Sequence, residues 1–128
     1  MRVATYTRTA ETGWRAANNL ALRQRGLHDV VLVMPNAHFT ASYYDIGTSR
    51  RRHRPGLQQA LTDAAARRYD VLVVDGADRL SLDRRRVRAL TDHLAKYGVA
   101  VYDINPRRTR RRRRVATATL AAIISELA

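Results

Sequence analysis

Arginine is the residue type in this chain with the most chemistry to offer. Lys plus Arg number 24 against 11 Asp plus Glu, for a formal charge of +13 and a pI near 11.5, and Lys96 is the only lysine. A guanidinium presents its donors in a planar fork that matches phosphate, so a field of this sign and composition attracts polyanions. Codon usage in a GC-rich genome explains Arg in place of Lys, but not the net excess. The arginines are clustered: Arg50, Arg51 and Arg52; Arg84, Arg85 and Arg86; and a tract of Arg107, Arg108, Arg110, Arg111, Arg112, Arg113 and Arg114. Each short cluster reads either as a solvated face or as a phosphate contact. Like charges packed as closely as in the tract repel one another and favour an extended segment until an anion binds.

Other chemistries are poorly supplied. Without cysteine there is no disulfide framework and no thiolate zinc site. The four histidines, His28, His38, His53 and His93, show no metal-ligand spacing, so neither a metal nor another cofactor is expected. No apolar run is long enough to span a bilayer, and Met1-Arg2-Val3 leads into a strand-like segment instead of a long apolar leader core. The expectation is a soluble, cytoplasmic, nucleoid-associated protein with DNA phosphates as partner and no membrane. No aromatics are interleaved with the arginines for base stacking, and Trp14 reads as a packing residue of the first helix.

The elements that must position these groups follow from periodicity. Val3 to Thr7 predicts a strand, and a helix from about Gly13 to Arg25, closed by Gly26, follows. The β-branched run Asp29 to Met34, bounded by Pro35-Asn36, predicts a strand buried on both faces, and Ser42 to Ile46 a second short extended piece. Pro55-Gly56 opens a helix with Leu57, Ala60, Leu61 and Ala64 on one face. Tyr69 to Val74 is the clearest strand. A loop from Asp75 to Leu82 precedes a helix carrying Val87, Leu90 and Leu94, which Gly98 ends, and Val99 to Tyr102 is the last strand. Alternating strands and helices imply parallel βαβ units, a three-layer α/β domain with a mainly parallel sheet and helices on both faces. Ligands then sit at the carboxyl ends of the strands, where Arg8, the loop near Thr48 and Arg79 all fall.

The domain occupies residues 1–105 on this reading, followed by an arginine-rich segment at 106–114 and a helix at 115–128. That last segment is small and apolar around most of its circumference, so it must pack on the domain or on another chain.

Four motifs in order carry a resemblance to the catalytic domain of serine recombinases of the resolvase and invertase type. Met1 to Ala10, with Tyr6 and Arg8, resembles the family opening: a strand, Tyr-x-Arg-Val, then the nucleophilic serine. Tyr44-Asp45-Ile46-Gly47-Thr48-Ser49 with Arg54-Pro55-Gly56-Leu57 resembles the Asp-x-Gly-x-Ser-Gly loop and the Arg-Pro-Gly-Leu helix start. Tyr69 to Val74 with Asp78-Arg79-Leu80-Ser81 resembles the third strand and the Asp-Arg-Leu-x-Arg motif. Thr119 to Glu126 resembles the start of the long helix through which these enzymes dimerise and reach DNA. The resemblance implies a resolvase-like fold, a homodimer or a heterodimer with a recombinase, and a metal-free reaction. In that reaction a serine oxygen attacks a DNA phosphodiester while clustered arginines stabilise the phosphoryl charge.

The motifs match at Arg8, Asp45, Arg54, Asp78 and Arg79 and fail elsewhere. Ala10 stands where the nucleophile belongs, Leu82 where the second arginine of the third motif belongs, and Thr48 replaces the loop serine but keeps a hydroxyl. Arg8 and Arg79 have two open readings: ion-pair partners of Asp45 or Asp78, or a retained phosphate pocket. Thr9 adjoins Ala10, but along a strand it aims at the opposite face; Thr12 lies in the following loop. The resulting expectation is a catalytically inactive, recombinase-like protein that binds DNA through Arg50, Arg51, Arg52 and the tract from Arg107 to Arg114. Its role would be accessory or regulatory in recombination or DNA occupancy. The alternatives are an active recombinase using a displaced hydroxyl, and a protein-interaction module whose charge only aids solubility.

Overall fold

A computed structural model describes residues 1–10, 13–47 and 54–106. Its order is β1 (Arg2–Thr9), α1 (Gly13–Val33), β2 (His38–Ile46), α2 (Pro55–Ala65), β3 (Val71–Val74), a single 3-10 turn (Ala77–Arg79), α3 (Arg84–Ala95) and β4 (Ala100–Asp103). The four strands form one sheet in the order β2-β1-β3-β4, with every adjacent pair parallel. The chain steps outward from β1 to β2, then crosses back to β3 and on to β4. The order therefore reverses beside β1, where doubly wound sheets open a crevice at the carboxyl edge.

Alternation along β1 splits the core in two. Val3 faces α1 and packs with Leu27, Val31 and Met34 and with Val71 and Val73 of β3. Ala4 and Tyr6 face the other way, joining Leu57, Ala60 and Ala64 of α2 and Val87 and Leu94 of α3. The result is the expected three-layer α/β architecture, with α1 on one face and α2 and α3 on the other. The first, third and fourth strands and the two later helices lie where periodicity put them, within a few residues.

One expected strand does not exist. Asp29 to Val33 is the last part of α1, and Met34 follows it directly. Of the run, Val31 and Met34 are buried with Leu27 at helical spacing, whereas Leu32 and Val33 are 68% and 73% exposed. A strand sandwiched between helix layers would bury them all, as β3 does with Val71 to Val74. A short β-branched run cannot by itself separate the two cases. The extended piece expected at Ser42 begins instead at His38 and forms β2.

Gly26, expected to end α1, lies inside it. Its backbone has no positive φ, and a Cβ added there meets nothing within 4 Å. Glycine in an exposed helix interior costs about 0.5–1 kcal/mol relative to alanine. Gly26→Ala is expected to stabilise the protein by about that amount, read as a higher denaturant midpoint at unchanged slope; a lower midpoint contradicts a continuous α1.

Candidate functional site at the carboxyl edge of the sheet

The site is assembled around the ends of β1, β2 and β3. Tyr6 and Arg8 share one face of β1 by alternation, the face covered by α2 and α3, and Ala10 follows directly after the strand. Register places Arg8 beside Asp45 of β2 and Tyr6 beside Val74 of β3. Asp45 is buried, and its carboxylate takes three donors: the backbone N–H of Gly56 at 2.8 Å on Oδ1, that of Leu57 at 3.0 Å and the Tyr6 hydroxyl at 2.8 Å, both on Oδ2. The amide donors belong to the first turn of α2, so an internal carboxylate occupies the anion position of that helix terminus.

This docking requires Gly56. A Cβ there would stand 1.9 Å from the carbonyl oxygen of Tyr44 and 2.6 Å from its carbon, backbone atoms that cannot move aside. The glycine of the Arg-Pro-Gly-Leu segment thus serves the close approach of α2 to β2.

Arg54, at the N-cap of α2, reaches across to the other strands. Its Nη2 donates to the Tyr6 hydroxyl at 2.7 Å, and its guanidinium also donates to the carbonyl oxygens of Arg79 and Leu80. The guanidinium carbon lies 5.6 Å from the Tyr6 ring centroid. Arg54 therefore clamps the loop after β3 onto β1, and its buried Nε has no hydrogen-bond partner among the described residues. Burial, above all, pushes the Tyr6 hydroxyl well above the usual phenol range; the Asp45 carboxylate adds to the shift and Arg54 opposes it.

Arg8 is 8% exposed. Desolvation, then repulsion from Arg54, lowers its pKa, with Tyr6 and Asp45 opposing. The Nη1 of Arg23 from α1 donates to the carbonyl oxygen of Arg8 at 2.7 Å and fixes the strand end.

Arg79 has an ion-pair partner that the sequence reading did not name. Its Nε pairs with Asp75, at 3.3 Å, where the sequence offered Asp45 or Asp78. Asp75 in turn accepts from the Thr7 hydroxyl at 2.9 and 3.1 Å. The 3-10 turn bearing Asp78 and Arg79 is anchored by buried Asp103 at the end of β4, which accepts from the Ala77 N–H at 3.0 Å and the Asn105 N–H at 2.7 Å. Burial raises the Asp103 pKa against the opposing pull of these two amide donors, and the Asp78 and Asp75 charges add to the rise.

Ala10 is exposed just past the end of β1. Thr9, the adjacent hydroxyl, is 1% exposed and alternates to the other face, as expected. Leu82 is 59% exposed. Trp14, expected to pack, is 75% exposed instead, because the buried line of α1 runs through Ala16, Leu20, Leu27 and Val31. Thr12, Thr48, Arg50, Arg51, Arg52 and the tract from Arg107 to Arg114 lie outside the described residues, as does the expected helix at 115–128. Tyr6, Asp75 and Asp103 were given no role from sequence; only the Tyr6/Arg8 alternation signalled one of them. Among the described residues no group of His and acidic side chains is arranged to hold a metal, and no helix is long and apolar enough to cross a membrane.

With this geometry in place, comparison with known proteins decides the family. The family model for the resolvase N-terminal domain matches residues 3–128. The chain belongs to that family, the catalytic domain of serine recombinases. Its fold is similar to the C-terminal catalytic domain of ISC1926 TnpA, an IS607-like serine recombinase, with a TM-score of 0.71, 18% identity and coverage of 82% of this chain and 71% of that one. It is also similar to a resolvase family site-specific recombinase from Streptococcus pneumoniae, with a TM-score of 0.66 at 17% identity over 81% of this chain and 72% of that one. The N-terminal catalytic domain of TP901-1 integrase aligns with a TM-score of 0.57 at 21% identity, over 81% and 77% of the two chains. No curated protein sequence matches significantly.

Two outcomes test the site's construction. Gly56→Ala is expected to destabilise the domain by about 1–3 kcal/mol or more through backbone overpacking, and Asp45→Asn by about 2–4 kcal/mol, because an amide cannot accept at both of its terminal atoms. Urea denaturation of each variant reads both. For Asp103 the folded pKa lies above 3.8, so the native state binds the proton more tightly than the unfolded state. Its contribution is therefore most favourable below pH 3.8 and is lost as pH rises through the raised pKa. The stability difference between the native sequence and Asp103→Asn should shift in that direction across the window, and a flat difference contradicts it.

Proposed function

We propose that this chain is a recombinase-type domain that binds the DNA backbone but does not cut it, and that acts as an accessory or regulatory protein by occupying DNA or by pairing with an active recombinase. The observation that carries this reading is Ala10: an exposed methyl directly after β1, at the position where the family motif has its attacking oxygen. The neighbouring Thr9 hydroxyl is buried, which weighs against a displaced nucleophile. Leu82 removes a second cation from the same edge.

The basic clusters support the binding half of the proposal. Arg84, Arg85 and Arg86 are all exposed in the first turn of α3, where the helix dipole disfavours cations by about 0.3–1 kcal/mol each. Asp83 caps this turn, accepting from the Arg85 N–H at 2.9 Å, but three charges set against the dipole contribute nothing to folding and suit an external anion. Arg50, Arg51, Arg52 and the seven arginines from Arg107 to Arg114 are assigned to DNA phosphates. Dimerisation, with itself or with a recombinase, is assigned to 115–128.

Two measurements test this. On supercoiled plasmid no covalent protein–DNA adduct is expected after detergent quenching, and an adduct would establish the active-enzyme alternative. In duplex titrations at several salt concentrations, removal of residues 107–114 should flatten the log K against log salt slope by about 6. No duplex binding even at low salt would leave the interaction-module alternative in its place.

A further inference from the structure

We propose that Arg84, Arg85 and Arg88 form a phosphate-binding triangle on the outer face of α3, which holds the duplex backbone on the α3 side of the strand-end site; this deepens, and rests on, the DNA-binding reading above. Helix geometry brings the three together. Val87 and Leu94 mark the side of α3 that packs on the sheet. At about 100° per residue, Arg84, Arg88 and Arg85 stand about 60°, 100° and 160° round from Val87 in one direction, whereas Arg86 stands about 100° round in the other, toward partly buried Leu90. All three are exposed, and the spacings from Arg84 and Arg85 to Arg88 make them neighbours on one surface.

The triangle adjoins the strand-end site. After β3 the chain passes through the 3-10 turn into α3, so the first turn of α3 lies at the carboxyl edge of the sheet. Arg54 donates to the Leu80 carbonyl oxygen there, and the four residues from Leu80 to Arg84 span at most about 14 Å.

Folding of the domain does not account for these cations. None of the three side chains makes an ion pair or a hydrogen bond among the described residues. Arg84 and Arg85 sit in the first turn, where the helix dipole opposes positive charge, and their spacings to Arg88 set like charges against one another. Of the nearby acids, Asp83 is engaged in capping the Arg85 N–H, and Asp92 lies one turn beyond Arg88. Local choices that work against folding concentrate at functional sites. Charge complementarity selects the occupant: a polyanion with closely spaced charges, whose phosphates match guanidinium forks. A closed duplex carries its phosphates on the outside, so an exposed helix face reaches them without opening the base pairs.

The test is a duplex titration of the full chain at several salt concentrations, paired with thermal unfolding. The combined variant Arg84→Gln, Arg85→Gln, Arg88→Gln is expected to bind more weakly and to flatten the log K against log salt slope by about 2.7. Its thermal midpoint should equal or exceed that of the native sequence, because like-charge and dipole repulsion are removed. A charge-matched variant at three exposed positions elsewhere, Arg25→Gln, Arg68→Gln and Lys96→Gln, should keep most of the slope. Equal flattening in the two variants reduces the effect to net charge and overturns the triangle. An unchanged slope in the first variant also overturns it and leaves the DNA reading standing. A lowered thermal midpoint in the first variant gives the arginines a folding role and overturns it as well. Absence of any duplex binding by the native sequence at low salt removes both proposals together.

Discussion

The buried carboxylate of Asp45 holds the carboxyl edge of this sheet in one arrangement. It accepts from two α2 amides and from the Tyr6 hydroxyl, so β2, α2 and β1 meet on two oxygens. Arg54 extends the junction from Tyr6 to the carbonyls of the loop after β3. The chain of dependence is physical: a desolvated carboxylate without its donors would be costly, and those donors arrive only because Gly56 lets two backbones touch. The arginine-bearing loops are thereby brought to the strand ends by the same contacts that fold the domain.

That economy separates two kinds of arginine. Arg54 is spent largely on the protein's own carbonyls and Tyr6, and Arg79 has Asp75 beside it. Arg8 is buried at the end of β1, desolvated and repelled by Arg54. The carboxylate and carbonyl network that positions Arg54 does not involve the residue at position 10.

Wherever the code is local, the chain announced its structure. The run from Tyr69 to Val74 reads as a strand and Val71–Val74 is one, and Pro55-Gly56 with Leu57, Ala60 and Ala64 reads as a helix and is one. The site motifs were legible as well: Arg8, Asp45 and Arg54 do come together. The stretch from Asp29 to Met34 failed as a strand because its β-branched residues satisfy both periods, and only the packing of Leu27, Val31 and Met34 against Val3 and Val73 chooses the helical one. Trp14 failed as a core residue for a related reason: the side of α1 that meets the sheet is fixed by the sheet.

By itself, then, the sequence determined the parallel α/β class and the family motifs, with alanine at position 10, since each is a matter of residue type and short-range order. Tertiary structure decided which cations are engaged and by what. Arg79 pairs with Asp75 because the 3-10 turn is pinned by Asp103 from β4, and Arg54 turns inward because its acceptors are backbone carbonyls. No residue pattern encodes such partners, for they are distant in the chain and adjacent only once the strands have stacked in the order β2-β1-β3-β4.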